Sequence, residues 1–210
     1  MIYRTSTLVA AVAALATAGA ASASLQDFSA GIGDWTSNDA VSHNAGDGKP
    51  AGSMHVVNSD GFGRNSNLTS VATAGEMTAG ADFSFDYKIN AGMGYNGAYD
   101  NVRVTVRSGG NYAYAKIGYT GTGTIAPYGT WGTVSLDLDN AGNWDFISGD
   151  LNTIMNNATS VDIFFETPFG GFGAIPWDAQ VDNVNVTPEP GSLALLGLGA
   201  LALGRRRRRA

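Results

Sequence analysis

The sequence predicts an all-β fold: two antiparallel sheets packed as a sandwich, with one short helix, between a cleaved leader and an apolar tail. Three observations carry this reading. Several runs alternate apolar and polar residues at period two, the pattern of a strand with one buried face and one wet face. The 29 glycines, with frequent Asn, Thr and Ser, punctuate those runs as turns. The apolar fraction is 44% and cysteine is absent, so a core exists and is held by packing, without disulfides or thiolate metal sites.

The chain opens "MIYRTSTLVAAVAALATAGAASASLQDF". Arg4 is a short positive start, and Leu8 to Ala18 is an apolar stretch too short to span a bilayer comfortably. Ala21-Ser22-Ala23 fits the small-x-small rule for cleavage after Ala23. A buried helix would need a polar face, and this run has none. Residues 1–23 therefore read as a signal peptide that the Sec machinery exports.

Residues 24–186 read as the sandwich domain. "SMHVV" is a first clear strand. "DFSFDYKI" sets Phe83, Phe85, Tyr87 and Ile89 on one face against Asp82, Ser84, Asp86 and Lys88. "NVRVTVRS" sets Val102, Val104 and Val106 against Asn101, Arg103, Thr105 and Arg107. "NYAYAKIGY", "GTVSLDLD", "SVDIFFET" and "QVDNVNV" bring the total to at least seven strands. Two such one-sided sheets bury their apolar faces against each other, so Phe85 and Val104 are expected in the core. Between the last strands, Asp150 can cap a helix whose Leu151, Ile154, Met155 and Ala158 share one face.

Residues 187–210 form a separate tail. Pro188 and Pro190 fix their own φ and disfavour helix in the residue before each, so Pro188-Glu189-Pro190 is extended. Ser192 to Leu203 carries no charge and as a helix spans roughly 18 Å. A hydrocarbon core is about 30 Å thick, so this is a marginal anchor. Arg205, Arg206, Arg207, Arg208 and Arg209 follow as a stop-transfer cluster that stays cytoplasmic.

The two ends distort the net charge of −6. Six of the 12 basic residues and one of the 18 acidic residues lie in them, which leaves the middle near −11. Such a body has no general attraction for nucleic acid.

Few residues suggest catalysis. "GMGYNG" at Gly92 to Gly97 has dinucleotide-loop spacing but leads into a strand rather than a helix, so it reads as a hairpin loop. "DLDNAG" at Asp137 to Gly142 starts like a Ca²⁺-binding loop, but Ala141 and Ser148 stand at two ligand positions, so it reads as a turn. No G-x-S-x-G is present, and His43 and His55 read as loop and strand residues. Glycan binding has more to offer. Tyr112, Tyr114 and Lys116 share one strand face, and Arg103 and Arg107 share the polar face of the preceding strand. If the faces coincide they make a Tyr/Arg platform, which Tyr95, Tyr99, Trp131 and Trp177 could rim. The alternative is that most of these rings pack in the core or in turns.

Two resemblances follow. Pro188-Glu189-Pro190, an apolar run and a terminal Arg cluster together resemble the PEP-CTERM sorting signal, over roughly Thr187 to Ala210. The resemblance implies recognition by exosortase, a membrane-embedded cysteine transpeptidase or protease, in a Gram-negative host that secretes exopolysaccharide. It also implies an inner-membrane intermediate and a final place at the envelope surface or in the extracellular matrix. "DFSAGIGDW", "DGKPAGSMHV" and "WDAQVDNVNV" resemble, in that order, the pieces of a laminin-B-like or galactose-binding-like jelly roll. That resemblance implies a structural Ca²⁺ between the first loop and the last strand, held by Asp27 or Asp34 with Asp182. The alternative there is solvated aspartates. The expected function is a non-enzymatic exported protein associated with exopolysaccharide. The alternatives are a carbohydrate-binding module with structural Ca²⁺, or a secreted polysaccharide-active hydrolase.

Overall fold

The computed structural model describes residues 24–57, 65–92, 100–166 and 177–188. The predicted leader, residues Glu189 to Ala210 of the predicted tail, and Tyr95 and Tyr99 lie outside the described residues. Residues 23–187 make one compact unit. Its strands are β1 (Ser24–Gln26), β2 (Thr36–Ser37), β3 (Ala40–Asn44), β4 (Ser53–Val57), β5 (Asn65–Ser70) and β6 (Ala81–Ala91). They continue as β7 (Asn101–Ser108), β8 (Asn111–Gly118), β9 (Trp131–Asp137), β10 (Phe146–Ser148), β11 (Ser160–Glu166) and β12 (Asp178–Pro188).

The strands form two six-stranded sheets. The first has the order β3-β4-β12-β6-β9, with β1 also paired to β12. The second has the order β10-β8-β7-β11-β5-β2. This is the predicted all-β sandwich. Period-two alternation does what it predicts: Phe83, Phe85, Tyr87 and Ile89 of β6 meet Val102, Val104, Val106, Ile163 and Phe165 of the opposite sheet in one core. Phe85 and Val104 are both buried, one in each sheet. The core is apolar and continuous, so burial of these faces supplies the main stabilisation.

The alternation breaks once, in β12. Ala179 and Val181 point inward, and so do Val184 and Val186, an odd step between the two pairs. The shift occurs at Asp182 and Asn183, and Asn183 takes φ 50°, a left-handed conformation that Asn tolerates better than most side chains. The local twist lets an 11-residue strand keep its apolar side on the core while its partner on one side changes from β4 to β1.

Among the described residues two short α-helices are present where the sequence predicts one within the sandwich. The predicted helix is α2 (Leu151–Asn156); Asp150 accepts the Thr153 N–H at 2.8 Å, and Leu151, Ile154 and Met155 are buried. The additional helix is α1 (Ala72–Glu76). Its start is held by two side chains: the Ser70 hydroxyl accepts the Thr73 N–H at 3.0 Å, and Asp34, far back in the chain, accepts the N–H groups of Val71 and Ala72 at 3.1 and 2.9 Å. Among the described residues, no helix is long and apolar enough to cross a membrane.

Candidate glycan-binding face

The outer face of the second sheet carries the most developed side-chain arrangement. Antiparallel register fixes who meets whom. Arg103 of β7 stands opposite Lys116 of β8, Thr105 opposite Tyr114, and Arg107 opposite Tyr112. On the other side of β7, Phe164 of β11 faces Arg103 and Asp162 faces Thr105. On the far side of β8, Phe146 of β10 faces Tyr114. Arg103, Arg107, Tyr112, Tyr114 and Lys116, predicted to share a face, are thus brought together.

Three rings form the apolar part. Tyr112 and Tyr114 lie 6.4 Å apart with planes 16° from parallel. Phe146 sits 5.4 Å from Tyr112 and 5.5 Å from Tyr114, also stacked. Phe146 is 41% exposed, so the cluster opens to solvent. The cations lean on these rings. The Arg103 guanidinium lies 4.1 Å from the centre of the Phe164 ring and 5.9 Å from that of Tyr114. Arg107 lies 6.0 Å from Tyr112, and the Lys116 ammonium 5.4 Å from Tyr114.

Two carboxylates hold the cations in place. Glu166 takes Arg103 Nη1 at 2.9 Å on one oxygen and Lys116 Nζ at 3.4 Å on the other. Asp162 accepts Arg107 Nε–H at 2.7 Å and the Thr69 hydroxyl at 2.6 Å. Both carboxylates are buried at the sheet surface, where charge-assisted bonds are stronger than in open water. The result is a fixed pattern of donors and acceptors beside an apolar ring cluster. That combination suits a polyol, which needs placed polar partners for its hydroxyls and an apolar surface for its C–H faces.

The same geometry bears on glycoside hydrolysis. Asp162 and Glu166 are four residues apart on one strand, so their backbone positions are about 13 Å apart. Glycosidase carboxylates stand about 5–5.5 Å or about 6.5–9.5 Å apart across a substrate. These two are instead committed to ion pairs on one face.

Phe146, Phe164, Asp162 and Glu166 are site residues that sequence reasoning missed. "SVDIFFET" contains the signal for three of them: with Val161, Ile163 and Phe165 inward, Asp162, Phe164 and Glu166 must point out. Two of the predicted rim rings are corrected. Trp177 is fully buried in the core, because it shares the inward parity of Ala179 and Val181. Trp131 belongs to β9 of the first sheet, where the Lys88 ammonium lies 5.1 Å from its ring centre. His55 of β4 pairs with Asp178 at 2.9 Å, also on the first sheet.

The predicted Ca²⁺ ligands are only partly assembled. Asp34 is engaged elsewhere, by Ser70 and the start of α1. Asp27 accepts two bonds from Ser29, which hold its carboxyl below the usual carboxylate range. Asp182 is fully buried and accepts the N–H groups of Lys49 and Asn183. Burial raises the Asp182 carboxyl above its usual value, the two N–H donors oppose this, and the charges of Asp86 and Asp27 raise it further. Backbone carbonyls crowd the turn beside it: a Cβ on Gly48 would fall 2.2 Å from Gly52 O and 2.4 Å from Pro50 O, and one on Gly52 2.7 Å from Phe28 O. Asp27, Asp182 and such carbonyls are hard oxygen donors of the kind Ca²⁺ takes. Among the described residues, no three His, Asp or Glu side chains converge as a metal-ligand group.

Comparison with known proteins agrees with both halves of the chain. Among curated proteins none matches. The sandwich is similar to the family 11 carbohydrate-binding module of the cellulosomal cellulase Lic26A-Cel5E of Clostridium thermocellum, at 16% identity and a TM-score of 0.51 over 80% of this chain and 95% of that one. It is similar to the CBM22-1-CBM22-2 tandem domain of Paenibacillus barcinonensis Xyn10C, at 17% identity and a TM-score of 0.51, over 79% of this chain and 49% of that one. It is also similar to part of an agarase, AgWH50C, at 9% identity and a TM-score of 0.51, over 80% of this chain and 25% of that one. These likenesses show the fold alone, a jelly-roll β-sandwich. Residues 186–209 match the PEP-CTERM protein-sorting motif, so the chain is a jelly-roll body that carries this motif at its C-terminal end.

Proposed function

We propose that this is an exported, non-enzymatic protein that binds a glycan on the outer face of its second sheet. On this reading the Sec machinery exports it, the Arg tail holds it in the inner membrane of a Gram-negative cell, and exosortase then releases the body to the envelope surface or matrix. The glycan is the exopolysaccharide of the host. The observation that carries the binding reading is the cluster of half-buried Tyr112 and Tyr114 with exposed Phe146, beside ion-paired Arg103, Arg107 and Lys116. The likeness to carbohydrate-binding modules supports it at the level of fold.

Affinity electrophoresis of the mature protein through gels containing neutral or acidic polysaccharides tests the reading. Wild type is expected to be retarded by at least one, and Tyr112→Ala with Tyr114→Ala to lose the retardation while circular dichroism shows the sandwich still folded. A ring contact worth on the order of 1 kcal/mol corresponds to about fivefold in Kd for each Tyr. No retardation by any polysaccharide, or an unaffected double variant, would count against it.

A second reading, favoured by the burial of Asp182 near the charges of Asp86 and Asp27, adds a structural Ca²⁺ held by Asp182 and Asp27. A cation there would relieve the mutual repulsion of Asp182, Asp86 and Asp27 and stabilise the folded state by mass action. Millimolar Ca²⁺ is expected to raise the thermal midpoint relative to EDTA, and Asp182→Asn to abolish the difference. Equal midpoints in Ca²⁺ and EDTA would exclude the site.

A further inference from the structure

The three cations of the ring face are not equally committed. Glu166 takes both Arg103 and Lys116, whose side chains are only 21% and 20% exposed. Phe164 covers Arg103 further, at 4.1 Å from the guanidinium. Arg107 stands apart. Its side chain is 45% exposed, while that of its partner Asp162 is 6% exposed. Asp162 accepts the Nε–H at 2.7 Å and is itself fixed by the Thr69 hydroxyl. Among the described residues, nothing accepts from the two terminal nitrogens of Arg107. Asp162 thus pins the inner edge of the guanidinium and leaves the outer edge to solvent.

The surroundings leave room for an anion at that edge. Glu166 and Asp145, which accepts the Lys116 N–H at 2.5 Å, sit at the Lys116 end of β8, four residues from Tyr112. That is about 13 Å along the strand. Asp150, just past the strand that pairs with Tyr112, is bonded to Thr153. The Arg107–Asp162 pair is neutral as a whole, and the body near −11 repels a polyanion. The outer edge therefore acts as two placed N–H donors more than as free charge. Such a pair matches two oxygens of a carboxylate or a sulfate. The Tyr112 ring centre lies 6.0 Å from the guanidinium, and Phe146 stacks 5.4 Å from Tyr112. A sugar lying on Tyr112 and Phe146 brings its acidic substituent, or its neighbour's, to Arg107.

We propose that the glycan of this face is acidic, and that the two terminal nitrogens of Arg107 read a carboxylate or sulfate group on it. The proposal rests on the reading of this face as the glycan site and adds the class of sugar. Arg103 and Lys116 brace the rings, and Arg107 meets the ligand.

Paired polysaccharides that differ only in charge test it: polygalacturonate and alginate, each against its neutral ester, and dextran sulfate against dextran. Kd is read from affinity electrophoresis at one ionic strength, each variant against a polysaccharide-free gel, with circular dichroism to confirm folding. Wild type is expected to bind at least one acidic member about tenfold tighter than its neutral counterpart. The uronates and dextran sulfate distinguish a carboxylate from a sulfate. Arg107→Gln is expected to erase the preference. Arg107→Lys is expected to erase it too, because an ammonium keeps a charge for Asp162 but not the paired donors. Lys49→Gln removes the same charge beside Asp86 of β6 and is expected to keep the preference. Equal or tighter binding of the neutral members overturns the acidic class and leaves the ring face standing. A preference unchanged in either Arg107 variant, or lost equally in Lys49→Gln, overturns the role of Arg107. Retardation by none of the six is a different pattern and overturns the glycan reading together with this one.

Discussion

Glu166 shows how one side chain serves both fold and site. Its two oxygens hold Arg103 and Lys116, and those cations lean on Phe164 and Tyr114. The carboxylate is nearly buried while both cations keep about a fifth of their side chains in solvent, so losing it does not strand two fully desolvated charges. Glu166→Gln is therefore expected to cost about 1–3 kcal/mol, below the full penalty of breaking a deeply buried pair. Urea unfolding measures it. A cost near zero would mean that the pairs are solvent-screened and that the face is not pre-organised. Parity explains what could be read at this scale. Arg103, Arg107, Tyr112 and Tyr114 follow from alternation within long strands. Trp177 does not, because its inward parity becomes visible only once β12 is extended backward past Asp178.

At the scale of elements, legibility follows length. β6, β7, β8, β9 and β11 each have at least seven residues, and their alternation alone marks them. β2 has two residues and β10 three, too few for a period to register, and Phe146 was invisible for that reason. Helix α1 is not legible because it has only five residues, too few for an apolar period, and much of its N-terminal capping comes from Asp34 through the tertiary fold. Helix α2 was legible because Asp150 is a local cap. The long strands carry the testable energetics. Phe85→Ala removes a fully buried ring between two sheets and is expected to cost about 3–5 kcal/mol in the same urea measurement. A loss under about 1 kcal/mol would mean that β6 presents its other face to the core.

Over the whole molecule, the sandwich separates tasks by surface. One sheet's outer face carries the rings and paired ions. The other sheet carries both chain ends of the compact unit, paired through β1 and β12. The acidic excess of the body keeps it from binding polyanions indiscriminately, which leaves recognition to the placed contacts of the ring face. The central claim is that this face, and no other, takes the glycan. Backbone amide chemical-shift mapping of the mature protein, titrated with oligosaccharides from the host exopolysaccharide, tests it most directly. The account predicts perturbations concentrated on β7, β8, β10 and β11, centred on Tyr112, Tyr114, Phe146 and Arg103. Perturbations confined to the first sheet, or none at saturating oligosaccharide, would contradict it.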